Sequence, residues 1–149
     1  MTATLLVVDA GSSSVKLGAY DLRNSPTLIA RTHAEMPVEQ RSLAFDAMLR
    51  SFIEQNAIKD VGAVAHRIVH GGPNFSASAV LDDTTERALF GLTALAPLHL
   101  PIDLDFVTRT REILGGSVPQ IAVFDTAFFA AVFRYMDAQH APAEARAAM

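Results

Sequence analysis

Two short apolar runs, each followed at once by an aspartate, constrain the fold of this chain most. Residues 5–8 and 121–124 carry only apolar side chains, and Asp9 and Asp125 come directly after them. Runs of this length without polar residues are typical of strands buried inside a sheet. In open α/β sheets, ligands bind at the carboxyl ends of such strands, so both aspartates are candidate site residues.

The segments between these runs alternate between strand-like and helix-like patterns. Further strands are predicted at residues 15–21, 27–32 and 61–65. Helices are predicted at residues 40–55, 84–95 and 102–114. The second helix would be capped by Asp83 or Thr84, and the third would end at Gly115. Strands that come first, followed by helices that alternate with strands, predict the α/β class.

The composition excludes several classes of function. The chain has 149 residues, enough for one domain with its own core, and 50% of them are hydrophobic. That apolar content excludes a disordered chain. With 12 basic and 16 acidic residues, and no basic patch, we expect no nucleic-acid partner. The absence of cysteine excludes disulfides, thiolate metal sites and a cysteine nucleophile.

The sequence also gives an expectation about location and association. Residues 1–6 lack the basic start and the long apolar run of a signal peptide. No stretch of about 18 apolar residues is present, so we expect no membrane partner and a cytoplasmic protein. The high apolar fraction predicts an exposed apolar face, through which the chain would form a homo-oligomer or bind another chain.

The first polar cluster is a loop of small residues after the first apolar run, with the sequence DAGSSSVK at 9–16. Backbone N–H groups and serine hydroxyls in such a loop are able to cradle phosphate oxygens, and Lys16 adds a positive charge. Asp9 is a candidate ligand for Mg²⁺, held through water. The alternative is an ordinary polar hairpin turn, since loops of Gly and Ser are common.

The second cluster is HRIVHGG at 66–72, where Arg67 is a fixed cation suited to a carboxylate or a phosphoryl group. The alternative is a strand end with a surface arginine, in which His66 or His70 is a hydrogen-bonded core histidine. The two histidines also suggest a metal site, but the sequence offers no obvious third ligand.

Two further segments each offer one chemically active side chain. In LAPLHLP at 95–101, two prolines stiffen the loop around His99, although a plain connector between helices explains the same residues. In FDTAFF at 124–129, Asp125 is suited to act as a base or to orient a nucleophile. The alternative role for Asp125 is to cap a following helix.

Together, the four segments resemble the motifs of the acetate kinase family, in the family's order and at plausible spacing. The family belongs to the superfamily of actin, sugar kinases and heat-shock ATPases. The resemblance therefore implies a ribonuclease H-like (actin-like ATPase) α/β domain, a mixed sheet with flanking helices. It implies an N-terminal domain over residues 1–129, a divergent and frayed tail over 130–149, and no second kinase domain.

The resemblance also implies an activity, the transfer of the γ-phosphoryl group of ATP to acetate with Mg²⁺, which gives acetyl phosphate and ADP. Arg67 would bind the acetate carboxylate and the migrating phosphoryl group. His99 would stabilise charge on that group, and Asp125 would orient or activate the acceptor. Such roles fit phosphoryl transfer, which depends mainly on positioning and charge neutralisation.

The loop residues take the remaining roles that the resemblance implies. Ser12, Ser14 and Lys16 would bind the phosphates, and Asp9 would face the metal. We expect Asp9, Arg67, His99 and Asp125 to converge at one edge of the sheet.

The chain departs from the motifs of the family at three positions, and it also departs from the family in length. Asp9 replaces an Asn, Leu100 replaces an Asn beside His99, and Phe129 replaces a His near the transferring phosphoryl group. Family members are more than twice as long, and their second domain supplies the adenosine pocket and further catalytic groups. We therefore expect little turnover by this chain alone. Two alternatives remain open: a non-catalytic module that binds phosphate or another chain, and a propionate or butyrate kinase.

Overall fold

The computed structural model describes residues 4–129, so the predicted tail at 130–149 lies outside the described residues. Six strands occur in the described part: β1 (Thr4–Ala10), β2 (Ser14–Asp21), β3 (Thr27–Glu35), β4 (Val61–Ile68), β5 (Ala79–Val80) and β6 (Gln120–Phe124). Three α-helices accompany them: α1 (Arg41–Gln55), α2 (Asp83–Phe90) and α3 (Leu100–Leu114).

The strands form one mixed sheet in the order β3-β2-β1-β4-β6-β5. Strands β1, β4 and β6 run parallel, whereas β2, β3 and β5 pair antiparallel with their neighbours. A hairpin joins β1 to β2, and the Gly11 N–H donates to the Ser14 carbonyl at 2.8 Å across its turn. The sheet and its helices confirm the mixed α/β fold, and the parallel strands place their carboxyl ends at one edge.

The core lies between the sheet and the helices α1 and α3. Alternate residues of β1 and β2, among them Leu6, Val8 and Val15, are buried against these helices. The rings of Phe45 in α1 and Phe106 in α3 stack with their centroids 4.2 Å apart. Because full burial of such a side chain contributes about 1.5–3 kcal/mol, this stack holds the two helices firmly on the sheet.

The structure corrects the prediction for the second helix. The helix ends at Phe90 and not at residue 95, and a short 3-10 turn at Thr93–Leu95 follows it. Its cap is Asp82, whose Oδ1 accepts the Thr85 N–H at 2.8 Å, and not Asp83 or Thr84. Aspartate at this position satisfies a backbone donor that the helix leaves unpaired, and all three candidates are polar residues of the type that caps helices.

The third helix begins two residues earlier than predicted. It starts at Leu100, because Pro101 fits the first turn, where a missing N–H breaks no helical hydrogen bond. It ends at Leu114 as predicted, followed by Gly115 with φ 92°. The strand β5 was not predicted, because two residues are too few to show an alternating pattern.

Within residues 4–129, no helix is both long enough and apolar enough to cross a membrane.

Candidate functional site

Arg67, at the carboxyl end of β4, lies between two aspartates. Asp9 is near the end of β1, and Asp125 comes directly after β6. The Nε and Nη2 of Arg67 donate to Asp125 Oδ1 and Oδ2 at 2.9 and 2.7 Å. Its Nη1 donates to Asp9 Oδ1 at 3.0 Å. The structure therefore brings together three of the predicted site residues through direct hydrogen bonds.

The strand register explains this meeting. Val8 in β1 pairs with His66 in β4, and Arg67 pairs with Val123 in β6. Successive side chains of a strand point to opposite faces, so Arg67 lies on the face opposite to His66. Asp9 and Asp125 then flank the guanidinium from the two neighbouring strands.

The charges of this cluster balance one another. The hydrogen bonds to Asp125, and then those to Asp9, raise the pKa of Arg67 above its ordinary value, so its charge is permanent. Lys16 Nζ lies 3.8 Å from Asp9 Oδ2 and supplies a second positive charge. Two carboxylates and two cations thus share the edge of the sheet, and an incoming anion competes with the carboxylates for the cations.

A cavity of about 320 Å³ opens beside Arg67. Nine residues line it: Ala10, Gly11, Ser12, Arg41, Arg67, Val69, His99, Ile102 and Asp103. His99, at the start of α3, and Ser12, in the loop after β1, therefore line the same cavity as Arg67.

The predicted phosphate-loop residues do not all face this cavity. Ser12 lines it, whereas Ser14 is the first residue of β2 and is not part of the lining. Lys16 lies instead in a neighbouring groove that also contains Asp9, Tyr20 and Arg31. The residues of this segment therefore line two different depressions, Ser12 the cavity beside Arg67 and Lys16 the groove that contains Asp9.

Arg41 is a cavity residue that the sequence analysis missed. It is only 4% exposed, and its Nε and Nη1 donate to the Met36 and Gly11 carbonyls at 3.0 and 3.1 Å. Its Nη2 donates to the Ser12 carbonyl. A positive charge in the first turn of a helix is electrostatically disfavoured, because the N-terminal end of the helix is itself positive. An arginine at this position is therefore a sequence signal that its side chain has a role outside the helix. In the structure, the side chain of Arg41 holds the loop after β1 in place by binding its carbonyl groups.

Asp103 was missed as well. It is 5% exposed, and its Oδ2 accepts the Val69 N–H at 3.0 Å. Burial raises the pKa of its carboxyl to about 7, partly opposed by the hydrogen bond from Val69. Asp103 lies one turn after His99 on α3, so it ties the helix that carries His99 to the segment that follows Arg67. The sequence signal was an acidic residue inside the apolar stripe of α3.

The two histidines of the second motif have structural partners. His66 is 1% exposed, and its Nε2 lies 2.6 Å from Gln120 Oε1. Burial lowers the pKa of His66 to about 4, so the ring is neutral at neutral pH. His70 Nδ1 accepts the Gly72 N–H at 2.8 Å. Among residues 4–129, no group of three or more His, Cys, Asp or Glu is arranged to hold a metal ion.

The glycines of this motif are required by close packing. A Cβ at Gly71 would lie 3.0 Å from the Phe124 ring and 2.9 Å from the Phe75 side chain. Gly72 has φ +60°, a conformation that other residues rarely adopt. The bend after β4 therefore depends on both residues.

The residues at two of the departures lie in different surroundings. Leu100 is fully buried in the apolar cluster beneath α2 and α3, so its side chain contributes to packing. Phe129 is 56% exposed and meets Phe128 edge to face at a centroid distance of 5.7 Å. Position 100 therefore carries a core residue, whereas position 129 carries an aromatic ring at the surface.

Comparison with known proteins gives consistent matches. The sequence model of the acetokinase family matches residues 29–137. The acetate kinase of Alkaliphilus metalliredigens is 35% identical over an alignment of 150 positions. The alignment covers 83% of this chain and 38% of that protein. This chain therefore spans less than half the length of that relative.

Solved structures give the same result. A propionate kinase from Francisella tularensis superposes with a TM-score of 0.69 at 28% identity, over 85% of this chain and 38% of that one. The acetate kinase of Porphyromonas gingivalis superposes with a TM-score of 0.69 at 26% identity, over the same shares of the two chains.

Proposed function

Because the chain belongs to the acetokinase family, we propose that it forms the acceptor-binding domain of an acetate kinase-type phosphotransferase. In the proposed reaction, a carboxylate oxygen of acetate bonds to the γ-phosphorus of ATP. The bond from that phosphorus to the β–γ bridging oxygen breaks, and acetyl phosphate and ADP result. The observation that carries this proposal is the position of Arg67, which Asp9 and Asp125 hold by hydrogen bonds and which lines the cavity.

In this proposal Arg67 binds the acceptor carboxylate and the migrating phosphoryl group. A guanidinium suits both partners, because its planar fork donates two parallel hydrogen bonds to carboxylate or phosphoryl oxygens. Asp125 fixes the plane of that fork from one side and orients the acceptor. His99, in the wall of the same cavity, stabilises the negative charge that moves with the phosphoryl group.

The loop after β1 binds the phosphates through Ser12, Ser14 and Lys16. Its shape supports this role, since Arg41 draws the Gly11 and Ser12 carbonyls toward itself and fixes the loop backbone. A loop fixed before the ligand arrives loses little conformational freedom on binding.

Asp9 is the proposed magnesium-facing residue. Mg²⁺ prefers oxygen ligands, keeps several waters, and takes one or two carboxylates together with substrate phosphates. Asp9 fits this requirement, because its carboxylate is about one-third exposed and borders the phosphate loop. When bound, the ion would neutralise phosphate charge, while Asp9 holds it through water.

The proposed partners follow from the reaction. They are ATP and ADP, acetate and acetyl phosphate, and we place the reaction in the cytoplasm, where ATP is available. Propionate is the alternative acceptor, supported by the similarity to a propionate kinase. Exposed apolar side chains such as Leu98, at 78% exposure, support association with a second protein surface or a second copy of the chain.

A second function is favoured by one specific observation, the environment of Phe129. The ring is 56% exposed and meets Phe128 edge to face, so this position, where the resemblance implies a histidine near the transferring phosphoryl group, offers no polar group. This observation supports a module that binds phosphate without transferring it.

The test is the formation of acetyl phosphate from Mg²⁺-ATP and acetate by the 149-residue chain, trapped with hydroxylamine. Arg67→Lys is the matched variant, since it keeps the charge and loses the fork. Product with the natural chain and a large loss in the variant would support the enzyme. Because the chain alone is expected to turn over little, binding of acetate that is lost in Arg67→Lys, without product, would still support the acceptor-binding domain. Binding of inorganic phosphate without binding of acetate would support the second function. Neither binding nor product would refute both.

A further inference from the structure

A buried carboxyl group, that of Asp103, forms part of the cavity wall. Asp103 is 5% exposed and lines the cavity together with Arg67 and His99. Its Oδ2 accepts the Val69 N–H at 3.0 Å, the only hydrogen bond of this side chain within residues 4–129. A carboxyl group has two oxygens and about four acceptor positions. Asp103 therefore keeps hydrogen-bonding capacity that no residue in the described part of the chain uses.

This group is poorly matched to an acceptor that offers only a methyl group. Val69 and Ile102 supply apolar contacts in the cavity, but an alkyl group against Asp103 would leave a buried carboxyl oxygen unpaired. A hydroxyl group both donates and accepts, so it pairs with Asp103 in either protonation state. Burial raises the pKa of Asp103 to about 7, so both states are present near neutral pH.

The size of the cavity allows an acid larger than acetate. It measures about 320 Å³, whereas a water molecule occupies about 30 Å³ in the liquid. Acetate has only four non-hydrogen atoms, so it leaves space in this cavity even beside a phosphoryl group. An ammonium group in that space would face the positive charges of Arg41 and Arg67, both of which line the cavity.

We propose that the site prefers a small hydroxy acid to acetate as the acceptor, with the carboxylate of the acid on Arg67 and its hydroxyl on Asp103. This inference rests on the proposed function and specifies the acid. The bonds that form and break are those given above for acetate, with the hydroxy acid's carboxylate oxygen as nucleophile and ADP as leaving group. The hydroxyl keeps its proton and takes no part in the transfer.

The experiment compares acetate, glycolate and glycine, which differ in one substituent on the carbon next to the carboxylate: hydrogen, hydroxyl or ammonium. Each is titrated into the full 149-residue chain and followed by the backbone amide signals in NMR, where the Val69 amide reports on Asp103. We expect glycolate to bind about tenfold more tightly than acetate, the effect of one hydrogen bond to a charged group. Acetate or glycine binding as tightly as glycolate would overturn the proposal.

Variants separate recognition from structural support. Asp103→Ala is expected to reduce the preference for glycolate to near one. Asp103→Asn keeps an acceptor for the Val69 N–H and is expected to leave about a threefold preference, since a neutral hydrogen bond is roughly half as strong. Glu112→Gln, an exposed carboxylate on the same helix, is the control and keeps the full preference.

Each outcome decides the matter. If both Asp103 variants weaken acetate and glycolate equally, Asp103 only supports the backbone and the inference fails. Should Asp103→Ala not fold, Asp103→Asn alone carries the comparison. If acetate binds and glycolate binds no better, this inference fails while the proposed function stands. If neither acid nor acetyl phosphate binds, both fail.

Discussion

The guanidinium of Arg67 and the carboxylate of Asp125 form a two-point ion pair, with Nε–Oδ1 at 2.9 Å and Nη2–Oδ2 at 2.7 Å. This pair fixes the plane of the guanidinium, while Asp9 takes the remaining Nη1. The carboxylates use three of the five guanidinium N–H groups, so an anion reaches Arg67 through the other hydrogens of Nη1 and Nη2, beside two negative charges. The balance between carboxylates and substrate oxygens is the central feature of this site.

Asp9→Asn is expected to strengthen the binding of inorganic phosphate in the absence of Mg²⁺. The amide still accepts from Arg67, but it removes the negative charge that pairs with Arg67 and Lys16. Because such partly exposed pairs are weak, we expect roughly a two- to fivefold lower Kd. Isothermal titration measures it, with Asp60→Asn, an exposed residue just before β4, as control. Weaker phosphate binding in Asp9→Asn would contradict this account.

Arg41→Met is expected to destabilise the fold by about 3 kcal/mol, because it leaves three backbone carbonyls without a charged donor. Arg41→Lys should recover part of the loss, since it restores one donor group. Urea denaturation measures both, and Arg50→Met, an exposed position on the same helix, is the control. Arg41→Met with the stability of the natural chain would show that Arg41 does not hold the loop.

Asp103 makes stability fall as the pH rises. Its folded pKa of about 7 lies above the ordinary value of 3.8, so the folded state binds the proton more tightly. The stability that this bound proton gives the folded state is complete below pH 4 and is lost as the pH rises through about 7. Asp103→Asn should therefore gain stability relative to the natural chain between pH 4 and 8, on the order of 4 kcal/mol. Denaturation at several pH values tests this, and an unchanged difference would refute it.

His66 has the opposite effect. Its folded pKa of about 4 lies below the ordinary 6.5, so its contribution is complete above pH 6.5 and is lost as the pH falls through about 4. We expect His66→Gln to lose less stability than the natural chain between pH 6.5 and 4. The same denaturation series measures it. Equal losses over that range would mean that His66 takes up a proton within the fold.

The strands that carry the site could be predicted because their signals are local. Residues 5–8 and 121–124 are wholly apolar, and the aspartates that follow them mark the strand ends. The end of α2 could not be predicted, because apolar residues continue the helical spacing past Phe90 while the chain turns at Gly91. Boundaries depend on such turns more than on periodicity.

Arg41 and Asp103 could not be assigned to the site from the sequence for a different reason. Each reaches the cavity only through tertiary contacts: Arg41 to a loop about 30 residues earlier, and Asp103 to Val69 on another segment. Their local signals, a cation in a first helical turn and an acid in an apolar stripe, indicate an unusual environment without naming the partner.

The most direct test of the central claim is a thermal-shift titration of the 149-residue chain with acetyl phosphate and with Mg²⁺-ATP. A ligand that binds only the folded state adds about 1.4 kcal/mol at ten times its Kd, hence a few degrees in Tm. We predict a saturable rise in the natural chain and in Arg50→Ala, and none in Arg67→Ala. An equal rise in Arg67→Ala, or no rise in the natural chain, would contradict the assignment of Arg67 as the anion-binding centre.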